Sequence, residues 1–173
     1  IIEKLVNKEA SYIPNKIGCS MYIRPVMFGS EPTLQVRASR EFIHFVLLSP
    51  VGPYFGNELN CISIYVEQEN IRAAYGGTGN VKTTANYAQS IQTSEKVFKL
   101  GFDQVLWLDA IHKKYIEELS GMNIMFLYKD KTLRTPTLSG TILPGITRDT
   151  IITLSKSLGF NVIEDRSEER RVG

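Results

Sequence analysis

An α+β fold, with antiparallel or mixed sheet and a small number of helices, is what this 173-residue sequence predicts, and three observations predict it. The first third is rich in β-branched and aromatic runs separated by Gly, Pro and Asn clusters. Two later stretches switch to helical spacing, each ended by a glycine. The extended runs between those stretches are joined by links too short for crossover helices, which favours an antiparallel meander.

In chain order, residues 21–28, 42–48 and 62–66 read as strands. Gly52-Pro53 and Gly56-Asn57 mark the turn between the last two. Residues 75–80, Tyr-Gly-Gly-Thr-Gly-Asn, interrupt any regular element and let backbone approach something closely. From residue 86 to 100 the period becomes helical, with Ala88, Ile91 and Phe98 on one face and Gly101 as the stop. Residues 104–108, 115–119 and 123–128 are the short extended runs. A last helix spans 147–158, entered through Pro144-Gly145 and ended by Gly159, with Ile151, Leu154 and Leu158 as its buried face.

Composition excludes more than it selects. With a formal net charge of +2 and both signs interspersed, the chain has no basic stripe for nucleic acid. No uncharged apolar stretch reaches membrane-spanning length, and no signal segment opens the chain. Cys19 and Cys61 lack the spacing of a metal or redox site, so the expectation is a pair of reduced, buried thiols in a cytoplasmic protein, with organellar targeting left open because the chain starts at Ile1. No metal site is expected.

Several residues can carry chemistry. Lys82 follows the glycine-rich turn among small polar residues, where a lysine can lose part of its ammonium stability and form a Schiff base with an aldehyde cofactor; a surface lysine is the plainer reading. The glycines themselves match neither the dinucleotide nor the triphosphate fingerprint, and a tight turn explains them. Glu117 and Glu118 are adjacent on an extended run, so only one can face a given pocket, where a buried carboxylate would need a positive partner; two solvent-facing acids on an edge strand fit as well. The Pro144-Gly145-Ile146-Thr147 helix entry offers unpaired N–H groups to an anion, as most helix starts offer them to water. Tyr22, Arg24 and Tyr54 suit a pocket for a carboxylate on an apolar side chain.

These pieces resemble the branched-chain amino-acid aminotransferase family of fold-type IV pyridoxal-phosphate enzymes, from about Ser20 to Phe160. The resemblance is carried by Met-Tyr-Ile-Arg-Pro at 21–25, Ser-Pro-Val-Gly-Pro-Tyr at 49–54, Gly-Gly-Thr-Gly-Asn-Val-Lys ending at Lys82, and Ala-Asn-Tyr-Ala at 85–88. It continues through Gly-Phe-Asp-Gln-Val-Leu-Trp-Leu-Asp at 101–109, Gly-Met-Asn at 121–123 and Leu-Pro-Gly-Ile-Thr-Arg-Asp at 143–149. It implies most of a large C-terminal cofactor domain, at 41–165, preceded at 1–40 by the end of a small N-terminal domain and the interdomain loop. Residues 166–173 look like the translation of a sequencing adapter, so the natural sequence is expected to end near Asp165; a charged, solvated chain end is the plainer alternative.

By the same resemblance Lys82 is the Schiff-base lysine, Tyr87 the phenol beside the cofactor's ring oxygen, and Glu118 rather than Glu117 the partner of the pyridine nitrogen. Ile146 and Thr147 match the backbone amides that bind the cofactor phosphate. Tyr22, Arg24 and Tyr54 match substrate-pocket positions, and Leu34 and Val36 fall in a loop that reaches the partner subunit's pocket, which implies a homodimer. The implied activity is transamination between leucine, isoleucine or valine and 2-oxoglutarate by a ping-pong mechanism. Gly121 stands where some relatives carry a hydroxyl residue, and Ser120 where a glycine is frequent. The family's N-terminal phosphate-binding arginine and C-terminal threonine loop lie outside these residues, so the chain alone is expected to bind cofactor poorly and show little activity. D-amino-acid aminotransferases and aminodeoxychorismate lyases share Lys82 and Glu118 but normally lack the 22–25 and 101–109 blocks. A non-catalytic interaction protein is the alternative of another class; retention of Lys82, Tyr87 and Glu118 together speaks against it.

Overall fold

The computed structural model describes residues 1–54 and 61–168. The Gly56-Asn57 turn and the last five residues of the charged tail lie outside the described residues. Two compact units divide the chain, at Cys61–Ile62. This boundary falls later than the one expected at 40/41, because the strand that begins at Phe42 spends its whole length pairing within the first unit.

The first unit holds a short helix α1 (Ile2–Lys8) and two strands, β1 (Ser20–Gly29) and β2 (Phe42–Val51). The strands pair antiparallel over ten residues, from Ser20 opposite Val51 to Gly29 opposite Phe42. Val26 and Phe45 are partners in that register, and Phe28 meets Phe45 edge to face at 6.2 Å, a cross-strand aromatic contact of the kind that stabilises hairpins. The connecting loop is braced by a two-pronged ion pair from Arg37 to Glu31, at 2.5 and 2.9 Å, while the Glu31 carboxylate also accepts from the Arg40 N–H. These hydrogen bonds hold Glu31 below the usual carboxylate range, Arg37 contributing most.

The second unit contains two three-stranded sheets of mixed direction. In the first, β3 (Ile64–Glu67) runs parallel to β4 (Gln104–Leu108) with α2 (Thr84–Lys99) between them in sequence, and β5 (Ile116–Leu119) closes antiparallel on β4. In the second, β6 (Phe126–Leu127) pairs antiparallel with β7 (Thr132–Pro136), which runs parallel to β8 (Asn161–Asp165) across the helix α3 (Ile146–Ser157). The expected single meander is therefore corrected: only the 104–108 and 115–119 runs pair with each other, and the 123–128 run belongs to the other sheet. Strands β7 and β8, too polar to show the β pattern, complete that sheet in the order β6-β7-β8.

Strand β4 is buried along its full length and organises the core through period-two alternation. Val105 and Trp107 pack with Val97 of α2, flanked by Tyr65 and Phe102. Leu106 and Leu108 pack with Ile116 and Leu119, flanked by Val66, Met122, Ile124 and Phe126. The buried residues of α2 are Ser90, Thr93 and Val97, whereas Ile91 and Phe98 are exposed, so the expected face is rotated. The same happens in α3, where Arg148 and Ile152 are buried and Ile151, Leu154 and Leu158 are not. In both helices the buried side includes small or hydrogen-bonding residues, and an apolar-periodicity count passes over those. Both cysteines are free, but Cys61 is exposed and Cys19 half-buried, against the expectation of buried thiols.

Residues 166–168 pair with the start of β5. Ile116 N–H donates to the Ser167 carbonyl, Tyr115 and Glu168 form an antiparallel bridge, and the Arg166 guanidinium lies 4.9 Å from the centre of the Tyr115 ring.

Candidate functional site

A cleft of about 520 Å³ opens in the second unit. Five of the residues singled out in the sequence line it: Lys82, Tyr87, Glu118, Ile146 and Thr147. They come from the turn before α2, from α2 itself, from β5 and from the first turn of α3.

Lys82 is exposed and sits at the end of the glycine turn. Asn86, in the first turn of α2, ties that turn down. Its amide nitrogen donates to the carbonyls of Thr78 and Val81, each at 2.8 Å, and its amide oxygen accepts from the Thr78 hydroxyl at 2.7 Å. The base of the turn is packed against its neighbours. A Cβ on Gly79 would stand 2.6 Å from Ala73 Cβ and would overlap the Thr141 carbonyl oxygen, so only glycine allows this approach.

Glu117 and Glu118 are both buried, which rules out the reading of two solvent-facing acids. Strand β5 does lie at an edge of its sheet, but both of its faces are covered. As period two requires, the two carboxylates part company. Glu118 lines the cleft, and Glu117 lines a separate small pocket and accepts from the Thr141 hydroxyl at 2.5 Å.

Both oxygens of Glu118 are engaged. Oε1 stands 2.6 Å from Arg72 Nη2 and accepts from the Leu143 N–H at 3.3 Å, while Oε2 accepts from Asn123 Nδ2 at 3.0 Å. Burial pushes the Glu118 carboxyl up to about 7 against the opposing pull of Arg72. Burial also raises Glu117, partly offset by its bond from Thr141.

The start of α3 forms the opposite wall. Its N-cap, Gly145, has no side chain to offer the first-turn N–H groups, so those of Ile146 and Thr147 are available to an anion. A Cβ at Gly145 would overlap the Asn123 amide oxygen, so this glycine also lets Asn123 reach Glu118 and the Leu143 carbonyl, to which it donates at 2.9 Å. An amine, a buried carboxylate and open helix-end amides around one cleft are a donor set that fits a phosphorylated pyridine aldehyde.

Tyr22 and Arg24 lie on β1 in the first unit, where successive same-face positions put the Arg24 guanidinium 4.9 Å from the Tyr22 ring centre. Tyr54 is exposed just beyond β2. Leu34 and Val36 stand fully exposed on the braced loop.

Three residues of the site had no role assigned from sequence: Arg72, Asn86 and Asn123. Arg72 carries a signal in hindsight, since Ile71-Arg72-Ala73-Ala74 sets a lone charge among apolar neighbours, and a charge buried there needs a partner. Asn86 and Asn123 lie in blocks used for the resemblance, yet nothing local reveals which carbonyls an amide will reach.

The family model described as Amino-transferase class IV matches residues 1–172. The chain is 48% identical over 166 residues to branched-chain-amino-acid transaminase 1 of Bacillus subtilis, covering 95% of this chain and 46% of that protein. It is also 48% identical over 172 residues to a probable branched-chain-amino-acid aminotransferase of Staphylococcus aureus, covering 99% and 46% respectively. Among solved structures, a branched-chain aminotransferase from the archaeon Thermoproteus uzoniensis with norvaline matches with a TM-score of 0.73 at 27% identity, covering 87% of this chain and 50% of that one. The chain thus spans about half the length of the curated relatives it matches.

Proposed function

The chain belongs to the class IV amino-transferase family, and from that premise we propose that the whole protein transfers amino groups between branched-chain L-amino acids and 2-oxoglutarate with pyridoxal 5'-phosphate. The observation that carries this reading is the gathering of Lys82, Glu118 and the uncapped start of α3 around one cleft. When bound, pyridoxal phosphate supplies an electron-accepting ring that makes loss of the substrate α-proton feasible.

The side chains divide the remaining work. Lys82 Nζ would hold the cofactor through its aldehyde carbon and, as a free amine, would take the substrate α-proton as general base and return it as general acid. Glu118 would face the ring nitrogen and favour its protonated form, Tyr87 would donate to the ring oxygen, and the amides of Ile146 and Thr147 would take the phosphate. Tyr22, Arg24 and Tyr54 contact the substrate. Leu34 and Val36 contact a second copy in a homodimer; what supports this is their full exposure on a loop already fixed by Glu31 and Arg37. The apolar substrates are supported by the names of the relatives and by norvaline in the archaeal structure. An apolar pocket separates single methylenes only modestly, so overlapping activity on leucine, isoleucine and valine is expected.

The test uses the protein at the length of its relatives. Pyridoxal phosphate should give a visible absorption band that shifts on adding leucine. No band in the wild type, or an undiminished band in Lys82→Ala, overturns the reading. Rates on leucine, D-alanine and aminodeoxychorismate then separate branched-chain transamination from the other two chemistries of the fold.

A further inference from the structure

Arg72 is a buried cation that joins three segments of the site wall. Through Nη2 it donates to the Gly79 carbonyl at 2.9 Å and to the Thr141 carbonyl, and it stands 2.6 Å from Glu118 Oε1. Gly79 belongs to the turn that ends in Lys82. Thr141 opens the segment that leads through Leu143, whose N–H meets Glu118, to the start of α3. The close approach of Gly79 to Ala73 and Thr141 fixes the same junction from the backbone side.

Two properties separate this arrangement from an ordinary stabilising pair. First, the pair is almost fully buried on both sides, with side chains 8% and 5% exposed, so each charge depends on the other for the solvation it has lost. Second, Arg72 Nε has no partner, so the donors this guanidinium uses are concentrated on Nη2, where carboxylate and both carbonyls converge. The charged groups acting on Glu118 are Arg72, Glu117 and Lys82; of these, Arg72 exerts the largest favourable pull on the ionised form, and Glu117 opposes it.

We infer that Arg72 is a positioning residue: it draws the Glu118 carboxyl toward its ionised form against the effect of burial, fixes its direction, and locks it to the turn that presents Lys82. This rests on the cofactor reading above, because it is that reading that gives Glu118 a ring nitrogen to face. A carboxylate kept ionised holds such a nitrogen protonated, whereas a neutral carboxylic acid would not.

The inference is testable without cofactor. In the cofactor-free chain labelled with 13C-glutamate, with Glu118→Gln to assign the signal, the Glu118 carboxyl is titrated by NMR. Arg72→Gln keeps a shorter polar side chain at this position but carries no charge. It is expected to raise the Glu118 midpoint by about one pH unit or more, roughly tenfold in proton affinity. Arg72→Lys, which keeps the charge, should recover most of that shift. An unchanged midpoint in Arg72→Gln, or a Lys variant no closer to wild type than the Gln variant, overturns the inference. Should Arg72→Gln fail to fold, the wild type decides: the Arg72 side-chain nitrogen signals should move with the Glu118 midpoint, and signals flat across it overturn the pairing. Failure to bind pyridoxal phosphate with this response intact counts against the cofactor reading alone. Binding with no response counts against Arg72 alone.

Discussion

The two units of this chain use similar residues to opposite effect. In the hairpin of the first unit, Met27, Phe28, Phe42, Ile43, Phe45 and Leu47 are all exposed, and no described residue of that unit is fully buried. In the second unit, the five residues of β4 are all buried, and Val105 and Trp107 are completely enclosed. The difference lies in what each strand can pack against. Among the described residues, strand β4 has a neighbour on both edges and apolar clusters on both faces, while β1 and β2 pair only with each other. An apolar strand sequence therefore states that a strand should be covered, but a core forms only where a second layer exists. Only the enclosed unit can support a buried ion pair, because that needs a low-dielectric setting fixed on all sides.

The contrast can be broken by mutation, and the largest effect belongs to its most enclosed residue. Trp107→Ala should cost about 3–5 kcal/mol in urea unfolding, and a loss below about 1 kcal/mol would show that the second unit is not closed as described. Gly79→Ala drives a methyl into Ala73 and the Thr141 carbonyl, so about 3 kcal/mol is expected by the same measurement. A neutral result there would mean that the junction at Arg72 is slack.

The third prediction concerns pH. Burial pushes the folded Glu118 carboxyl up to about 7, above the 4.5 ordinary for a glutamate, so folding favours the protonated form. That contribution is fully present below about pH 4.5 and is lost as pH rises through about 7, a fall on the order of 3 kcal/mol. Glu118→Gln should flatten this slope in denaturation curves taken across that range; an unaltered slope would assign it to another group. At the small end, Leu34→Ser and Val36→Ser should leave stability within about 0.5 kcal/mol, since neither side chain is covered. If the loop contacts a second copy, the same changes should weaken self-association in sedimentation.

Legibility followed the range of the interaction concerned. Strands at 20–29, 42–51 and 104–108 and both long helices were readable because periodicity and glycine stops are local signals. Strands β7 and β8 were not, because Thr132, Arg134, Asn161 and Glu164 interrupt their apolar character and pairing with each other makes them strands. Helix faces were misjudged for a related reason: Arg148 is buried because Glu164 and the Pro136 carbonyl receive it, and those partners are set by the second sheet.

In the site, Lys82, Tyr87, Glu118, Ile146 and Thr147 were legible as residue types in a family-like order, and the structure brings them to one cleft. The sequence by itself determined both long helices and the strands with a local apolar pattern, the glycine turn before the lysine and the identity of the candidate groups. These depend on backbone preference and neighbours a few positions away. Only the tertiary structure decided that both glutamates are buried, on separate sides of their strand, and that Arg72 answers Glu118 across the chain. The reason is physical: a charge leaves water only when a distant segment supplies its partner, and that meeting is fixed by packing rather than by any local pattern.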